Sequence, residues 1–218
     1  MPTSSSAGPD VSSLTSHVTL IVWSDILCPW CYNAAVVLDR LEDEFAGTLT
    51  VTWRRYLLRP EAQEKSLERF RGYTESWQRP ASAPEAARFR VWSSEEAPPS
   101  HSVPPNVAVI AAERQSDGRA FHLALMDAYF WENRNVTARA TILDVAKSCD
   151  LDMERFERDL DDPTATERVW NDHREAIHRG ISSVPTVAVT DDFVIPGAQD
   201  ANFYRRMIEK LATREATT

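Results

Sequence analysis

Apolar side chains recur along this chain with different periods, and each period predicts a different element. Residues 18–23 form a nearly continuous apolar, β-branched run of strand length, the pattern of a strand buried on both faces. Past the short link at 24–27 the spacing lengthens: Ala35, Val36, Leu38, Leu41 and Phe45 recur at helical intervals up to Gly47. Pro29 suits the first turn of such a helix, and Gly47 suits the position past its end. Glu42, Asp43 and Glu44 fall at the helix's negative end, an unfavourable place that sequence alone explains only by solvation. Residues 49–57 then alternate, with Leu49, Val51 and Trp53 against Thr50, Thr52 and Arg54, as in a strand with one more exposed face. Strand, helix and strand in so short a span predict a parallel pair joined by a right-handed crossover.

Residues 59–105 are rich in Arg, Glu, Pro and Trp, and Pro80, Pro84, Pro98, Pro99, Pro104 and Pro105 interrupt any long element. One short helix at 64–72 within irregular covering loop is expected there. Helical periodicity then dominates: residues 107–115, 119–131, 138–149, 153–160 and 165–179, with Thr137, Asp152 and Pro163 as start signals and Gly118 and Gly180 as stops. Strands return at 185–190 and 193–195, separated by a tight turn at Asp191-Asp192, and a helix at 201–212 closes the pattern. The whole order predicts an α/β fold, a mixed sheet with helices on its faces. Its expected organisation is a disordered N-terminal tail (1–17), a sheet-bearing domain from 18–58 and 181–214, and an inserted α-helical subdomain at 59–180.

Composition narrows the functional classes. A chain of 218 residues, 43% hydrophobic, suits one domain or one domain with an insertion. Its net charge of −9 repels phosphate backbones and anionic bilayers, so neither nucleic acid nor membrane is an expected partner. Residues 1–17 lack the basic start and apolar stretch of a signal peptide, and no segment reaches the ~20 apolar residues of a membrane helix. The expected compartment is the cytoplasm, where structural disulfides are rare and cysteines act as reagents.

Two of the three cysteines are spaced for such a role, in Cys28-Pro29-Trp30-Cys31. Cys28 falls where a strand gives way to a helix N-terminus, whose unpaired N–H groups and positive dipole end favour a thiolate. Cys31, three residues on, lies close enough to resolve a mixed disulfide formed at Cys28. Trp30 adds no positive charge, which favours a reductase or isomerase over a strong oxidant. A zinc site would need two further ligands; Cys149, His122, His173 and His178 are scattered through predicted helices, so no metal is expected. Asp25 reads equally as a proton-moving group for Cys31 or as a hydrogen-bonding loop residue. Trp77 and Trp92 read as anchors of the long loop in preference to groove walls, and Cys149 as a small buried apolar residue.

Asp25-x-x-Cys28-Pro29-Trp30-Cys31-Tyr32, Val184-Pro185-Thr186 and Gly197-Ala198-Gln199 together resemble the DsbA-like thioredoxin proteins of the FrnE type, a likeness spanning about residues 18–212. The resemblance implies a thioredoxin-like fold with an inserted helical domain and cysteine chemistry with no bound cofactor. It also implies a cis bond between Val184 and Pro185 that faces the cysteines. By the same likeness Pro29, Trp30, Val184 and Pro185 would contact an extended disulfide substrate, protein or small molecule, with glutathione as a co-substrate and a homodimer compatible with the pattern. Ser183, where relatives carry Gly, departs from that pattern. Kappa-class glutathione transferases and 2-hydroxychromene-2-carboxylate isomerases share the architecture but carry Ser where this chain has Cys28. The alternative of a glutathione-dependent transferase or isomerase is therefore the weaker one.

Overall fold

The computed structural model describes residues 16–116, 118–189 and 193–214. The Asp191-Asp192 turn and all but two residues of the predicted tail lie outside them. Ser16 and His17, the last of that tail, are tied down: Ser16 N donates to Ala212 O at 3.2 Å, and the His17 ring meets Gly47 O and Thr50 Oγ1 at 3.3 and 3.0 Å.

The predicted first unit is present as β1 (Val18–Ser24), α1 (Pro29–Glu44) and β2 (Leu49–Arg55). β1 and β2 pair in parallel from Val18 opposite Leu49 to Ser24 opposite Arg55. β3 (Thr186–Ala188) runs antiparallel on the other side of β1, and β4 (Val194–Pro196) lies outside it, giving the order β2-β1-β3-β4. The period of two along β1 aims Leu20 and Val22 at one face and Ile21 and Trp23 at the other. The first face packs against Val37, Leu38 and Leu41 of α1 and Tyr204 and Ile208 of α9 (Ala201–Arg214); the second meets Ala176 of α8 (Pro163–His178). Thr19, exposed near the strand's start, and half-buried Ile21 depart from the two-sided burial expected of the strand.

Between β2 and β3 the helices are α2 (Leu67–Thr74), a 3₁₀ turn at Glu75–Trp77, α3 (Gln78–Ala81), α4 (Val103–Glu113), α5 (Arg119–Phe130), α6 (Arg139–Ser148), α7 (Met153–Leu160) and α8. The proline-rich stretch is thus more helical than its composition predicts. Pro104 and Pro105 do not break a helix. They stand in the first turn of α4, where a missing N–H costs nothing, so α4 starts four residues earlier than the apolar pattern suggests. Thr137 does not cap α6: Ala138 holds the N-cap position, and the Thr137 hydroxyl donates to Asn135 Oδ1 at 2.6 Å. The acidic end of α1 has partners from far along the chain. Arg119 meets Asp39 and Asp43 at 2.7 and 3.0 Å, Arg205 meets Glu44 at 2.6 Å, and Glu42 accepts from Val51 N at 2.7 Å.

A second, larger core holds α2 to α7 against the other flank of α1. It contains Tyr32, Phe70, Trp77, Trp92, Phe121, Tyr129, Phe130 and Phe156, and also Cys28 and Cys31. Trp77 and Trp92 are buried within it, each packed on Phe70 and Tyr129, the anchoring role predicted for them.

Candidate active site

Cys28 is the N-cap residue of α1 and Pro29 its first helical residue. The missing proline N–H belongs to the unpaired first turn, so the helix opens without losing a bond, and Cys28 O accepts from Tyr32 N at 3.2 Å. Cys28 Sγ donates to Val184 O at 3.5 Å, joining positions 156 residues apart in sequence. The Val184–Pro185 peptide is cis, as the resemblance implied. Behind it, Gly197 N donates to Pro185 O at 2.8 Å, with Gly197 at a φ of +79° that side-chain-bearing residues rarely adopt. The Gly197 motif, far from the cysteines in sequence, therefore braces the loop against which Cys28 sits.

The two sulfurs have unequal surroundings. Cys31 is fully buried, whereas Cys28 keeps 5% of its surface, and Trp30 between them is 38% exposed. Burial pushes the Cys31 thiol well up, and the neighbouring Cys28 adds to the effect. The Asp25 backbone and the Ser24 hydroxyl pull the other way. That hydroxyl is buried without a partner at hydrogen-bond length, so its hold on Cys31 is weak. Sequence reasoning passed over Ser24, since one small polar residue at a strand end carries no distinguishing signal.

Asp25 is fully buried and holds the surrounding loops through both carboxylate oxygens. One carboxylate oxygen accepts from Leu27 N and Asn106 Nδ2 at 3.0 and 3.2 Å; the other accepts from Leu58 N and Ser102 Oγ at 2.7 and 2.5 Å. Burial pushes this carboxyl up, and those hydrogen bonds oppose the rise. With both oxygens doubly engaged, Asp25 locks the link before α1 to the exit of β2 and the start of α4. Its backbone O receives Cys28 N at 3.0 Å, which carries the lock to the Cys28–Cys31 motif. Tyr32, the residue after the motif, donates to Asp127 Oδ1 at 2.7 Å, and Arg88 holds the other Asp127 oxygen at 2.7 Å.

Of the four residues expected around Cys28, Val184 meets its sulfur through the carbonyl, Pro185 follows across the cis bond, and Pro29 and Trp30 open α1, while Cys149 is a half-buried residue at the end of α6, packed at the edge of the helix-side core. His122, His173 and His178 stay apart from the cysteines, and no group of metal-ligating side chains forms among the described residues.

The sequence profile of the DSBA-like thioredoxin domain matches residues 19–209. The chain belongs to that family. As a DSBA-like chain it is 23% identical, over 199 residues, to the ClpXP adapter protein SpxH of Bacillus subtilis (strain 168). That match covers 87% of this chain and 66% of SpxH, so the chain spans just under two thirds of the relative's length. Among solved structures, the cytosolic disulfide reductase DsbM of Pseudomonas aeruginosa superposes with a TM-score of 0.72 at 22% identity, covering 92% of this chain and all of DsbM. DsbM with GSH gives 0.68 at 21% identity, covering 92% and 98%. A 2-hydroxychromene-2-carboxylate isomerase gives 0.62 at 17% identity, covering 91% and 98%. At these identities the likeness establishes the DsbA-like thioredoxin fold. Among the described residues no helix is long and apolar enough to cross a membrane.

Proposed function

We propose that this DSBA-like chain is a cytoplasmic thiol–disulfide oxidoreductase, a reductase or isomerase that exchanges disulfides of proteins or small molecules through Cys28 and Cys31. The observation that carries the reading is the pairing of Cys28 Sγ with Val184 O at the N-terminus of α1. It puts the more exposed sulfur against a backbone carbonyl that an extended substrate can also address. Cys28 thiolate attacks one sulfur of the substrate disulfide and expels the other as a thiolate. Cys31 then loses its proton and attacks Cys28 Sγ, forming the Cys28–Cys31 disulfide and releasing the second substrate thiolate. Two electrons have then passed to the substrate. Two external thiols return the site to the dithiol, and the likeness to DsbM, solved with GSH, supports glutathione in that role. The description of DsbM as cytosolic supports the compartment.

The buried, proton-holding Cys31 sets the order of events: it cannot compete as first attacker, and its thiol is released only once Cys28 is bonded to substrate. The test is insulin-disulfide reduction by Cys28→Ser and Cys31→Ser, with trapping of partners by the second variant. Both variants are expected to lose turnover, and Cys31→Ser to accumulate mixed disulfides. Wild-type turnover in both single variants would overturn the reading.

A further inference from the structure

β1 and β2 are parallel and paired to their last residues, Ser24 opposite Arg55, so the chain leaves both strands at one edge of the sheet. Ligands of open α/β sheets gather at that edge. Four residues beyond β1 stands Cys28, and four beyond β2 stands Arg59. A short relay joins them: Arg59 N donates to Ser102 Oγ at 3.1 Å, Ser102 Oγ to Asp25 Oδ2 at 2.5 Å, and Cys28 N to Asp25 O at 3.0 Å.

Beside Arg59 opens a cavity of about 210 Å³ with Lys65 and Arg69 as further cations, Glu64 as its acid, and the rings of Phe70 and Tyr73. Three positive groups thus face one negative group, and none of the three forms an ion pair with a described residue. The Arg59 guanidinium lies 5.7 Å from the Tyr73 ring centre, and its Nη1 is buried with no hydrogen-bond partner. Lys65 Nζ lies 5.7 Å from the Phe70 ring centre and donates to Pro99 O at 3.0 Å, leaving two of its protons unassigned. Burial, with Arg59 adding to it, pulls Lys65 down to about 8, as expected of two cations held together without a counter-ion.

We infer that this cavity receives the carboxylate of a small anionic disulfide or thiol, the molecule whose sulfur is exchanged at Cys28. The inference rests on the disulfide-exchange reading for its sulfur chemistry and adds to it a charge preference. A planar guanidinium beside two further cations suits a carboxylate, and the two rings suit the apolar arm that carries it. The cavity is far smaller than a protein segment, and a chain of net charge −9 disfavours a large polyanion.

The test compares two small disulfides that differ in charge, 3,3′-dithiodipropionate with two carboxylates and hydroxyethyl disulfide with none. The protein is expected to prefer the first in kcat/KM by about tenfold, the size of one good charge-assisted contact. Arg59→Gln and Lys65→Gln should each bring the ratio of the two rates close to one. No preference in the parent, or the same preference in both variants, overturns the inference. Calorimetry on the Cys28→Ser/Cys31→Ser double variant reads binding without chemistry, and dithiodipropionate should bind it and lose affinity with Lys65→Gln. Binding without turnover of either disulfide overturns the exchange reading while keeping the carboxylate site. Succinate binding as tightly as dithiodipropionate assigns the cavity to a free dicarboxylate and overturns the substrate assignment.

Discussion

Helix α1 is shared by two cores of different chemistry. Toward the sheet it presents Val37, Leu38 and Leu41 to a largely aliphatic cluster with Leu20, Val22, Val187 and Ile208. Toward the helical body it presents Cys31, Tyr32 and Ala35 to a cluster dominated by rings. Phe130 alone meets Tyr32, Trp77, Phe89 and Tyr129 with centroids 4.5–5.4 Å apart. The sheet side builds a strand-to-helix platform from interchangeable aliphatics. The helix side, which encloses both cysteines, is held by large aromatic faces packed on one another. The Cys28–Cys31 motif sits at the seam, positioned by one core and insulated by the other.

The largest expected effect separates chemistry from packing. Cys28→Ala should lower insulin-disulfide reduction by roughly 10³-fold or more while far-ultraviolet dichroism stays unchanged. Retained turnover would mean that the seam is structural. Next, Phe130→Ala should cost about 4 kcal/mol in urea unfolding and Leu38→Ala about 3 kcal/mol. A smaller loss for Phe130→Ala would break the contrast between the two cores.

His122 links them: it is buried, packs edge-on to Trp53 at 4.7 Å, and Trp53 touches both clusters. Burial, with Arg55 adding to it, pulls its pKa to about 3 from 6.5. The folded protein therefore binds fewer protons than the unfolded chain below pH 6.5. Stability attached to this neutral imidazole is complete above that pH and declines as pH falls toward 3, by on the order of 4 kcal/mol. Urea unfolding across that range should fall more steeply for the parent than for His122→Gln. Equal slopes would remove His122 from the seam.

Asp25→Asn should cost about 2 kcal/mol, because one amide oxygen cannot serve the donors that both carboxylate oxygens now satisfy. Thermal unfolding reads this, and a neutral result would mean that the lock between the two cores is slack. The smallest effect concerns the anionic cavity. Lys65, facing Arg59, Glu64, Arg69 and Tyr73, is charged below about pH 8 and neutral above it, so the preference for dithiodipropionate should fall a few-fold as pH rises through that value. Kinetics at pH 7 and pH 9 check the direction, and a preference that does not fall removes Lys65 from the cavity's charge.

Local patterning made much of the fold legible. Residues 153–160 read as helix and are α7 to the residue, because Asp152 caps it through Arg155 N at 3.1 Å and its apolar positions keep strict period. The runs of β1 and β2, α1 and the Cys28–Cys31 spacing were readable on the same ground, since each depends on residues near one another in sequence. Errors gathered where one residue type serves two purposes: the prolines at 104 and 105 read as breakers but start a helix, and the carboxylates of α1 read as merely solvated.

By itself, the sequence determined the periodicities, the strand-to-helix junction that places Cys28, and the family motifs that point to Val184 and Pro185. Only the tertiary structure decided what those groups touch. Arg119 and Arg205 neutralise α1, Ser102 and Asn106 fill Asp25, Gly197 braces Pro185, and Arg59 and Lys65 line one cavity. The physical reason is range. Propensity and capping act over a few residues and leave a trace in the order of the chain. A hydrogen bond or ion pair acts over a few ångströms between partners whose sequence separation, 156 residues for Cys28 and Val184, has no period to read.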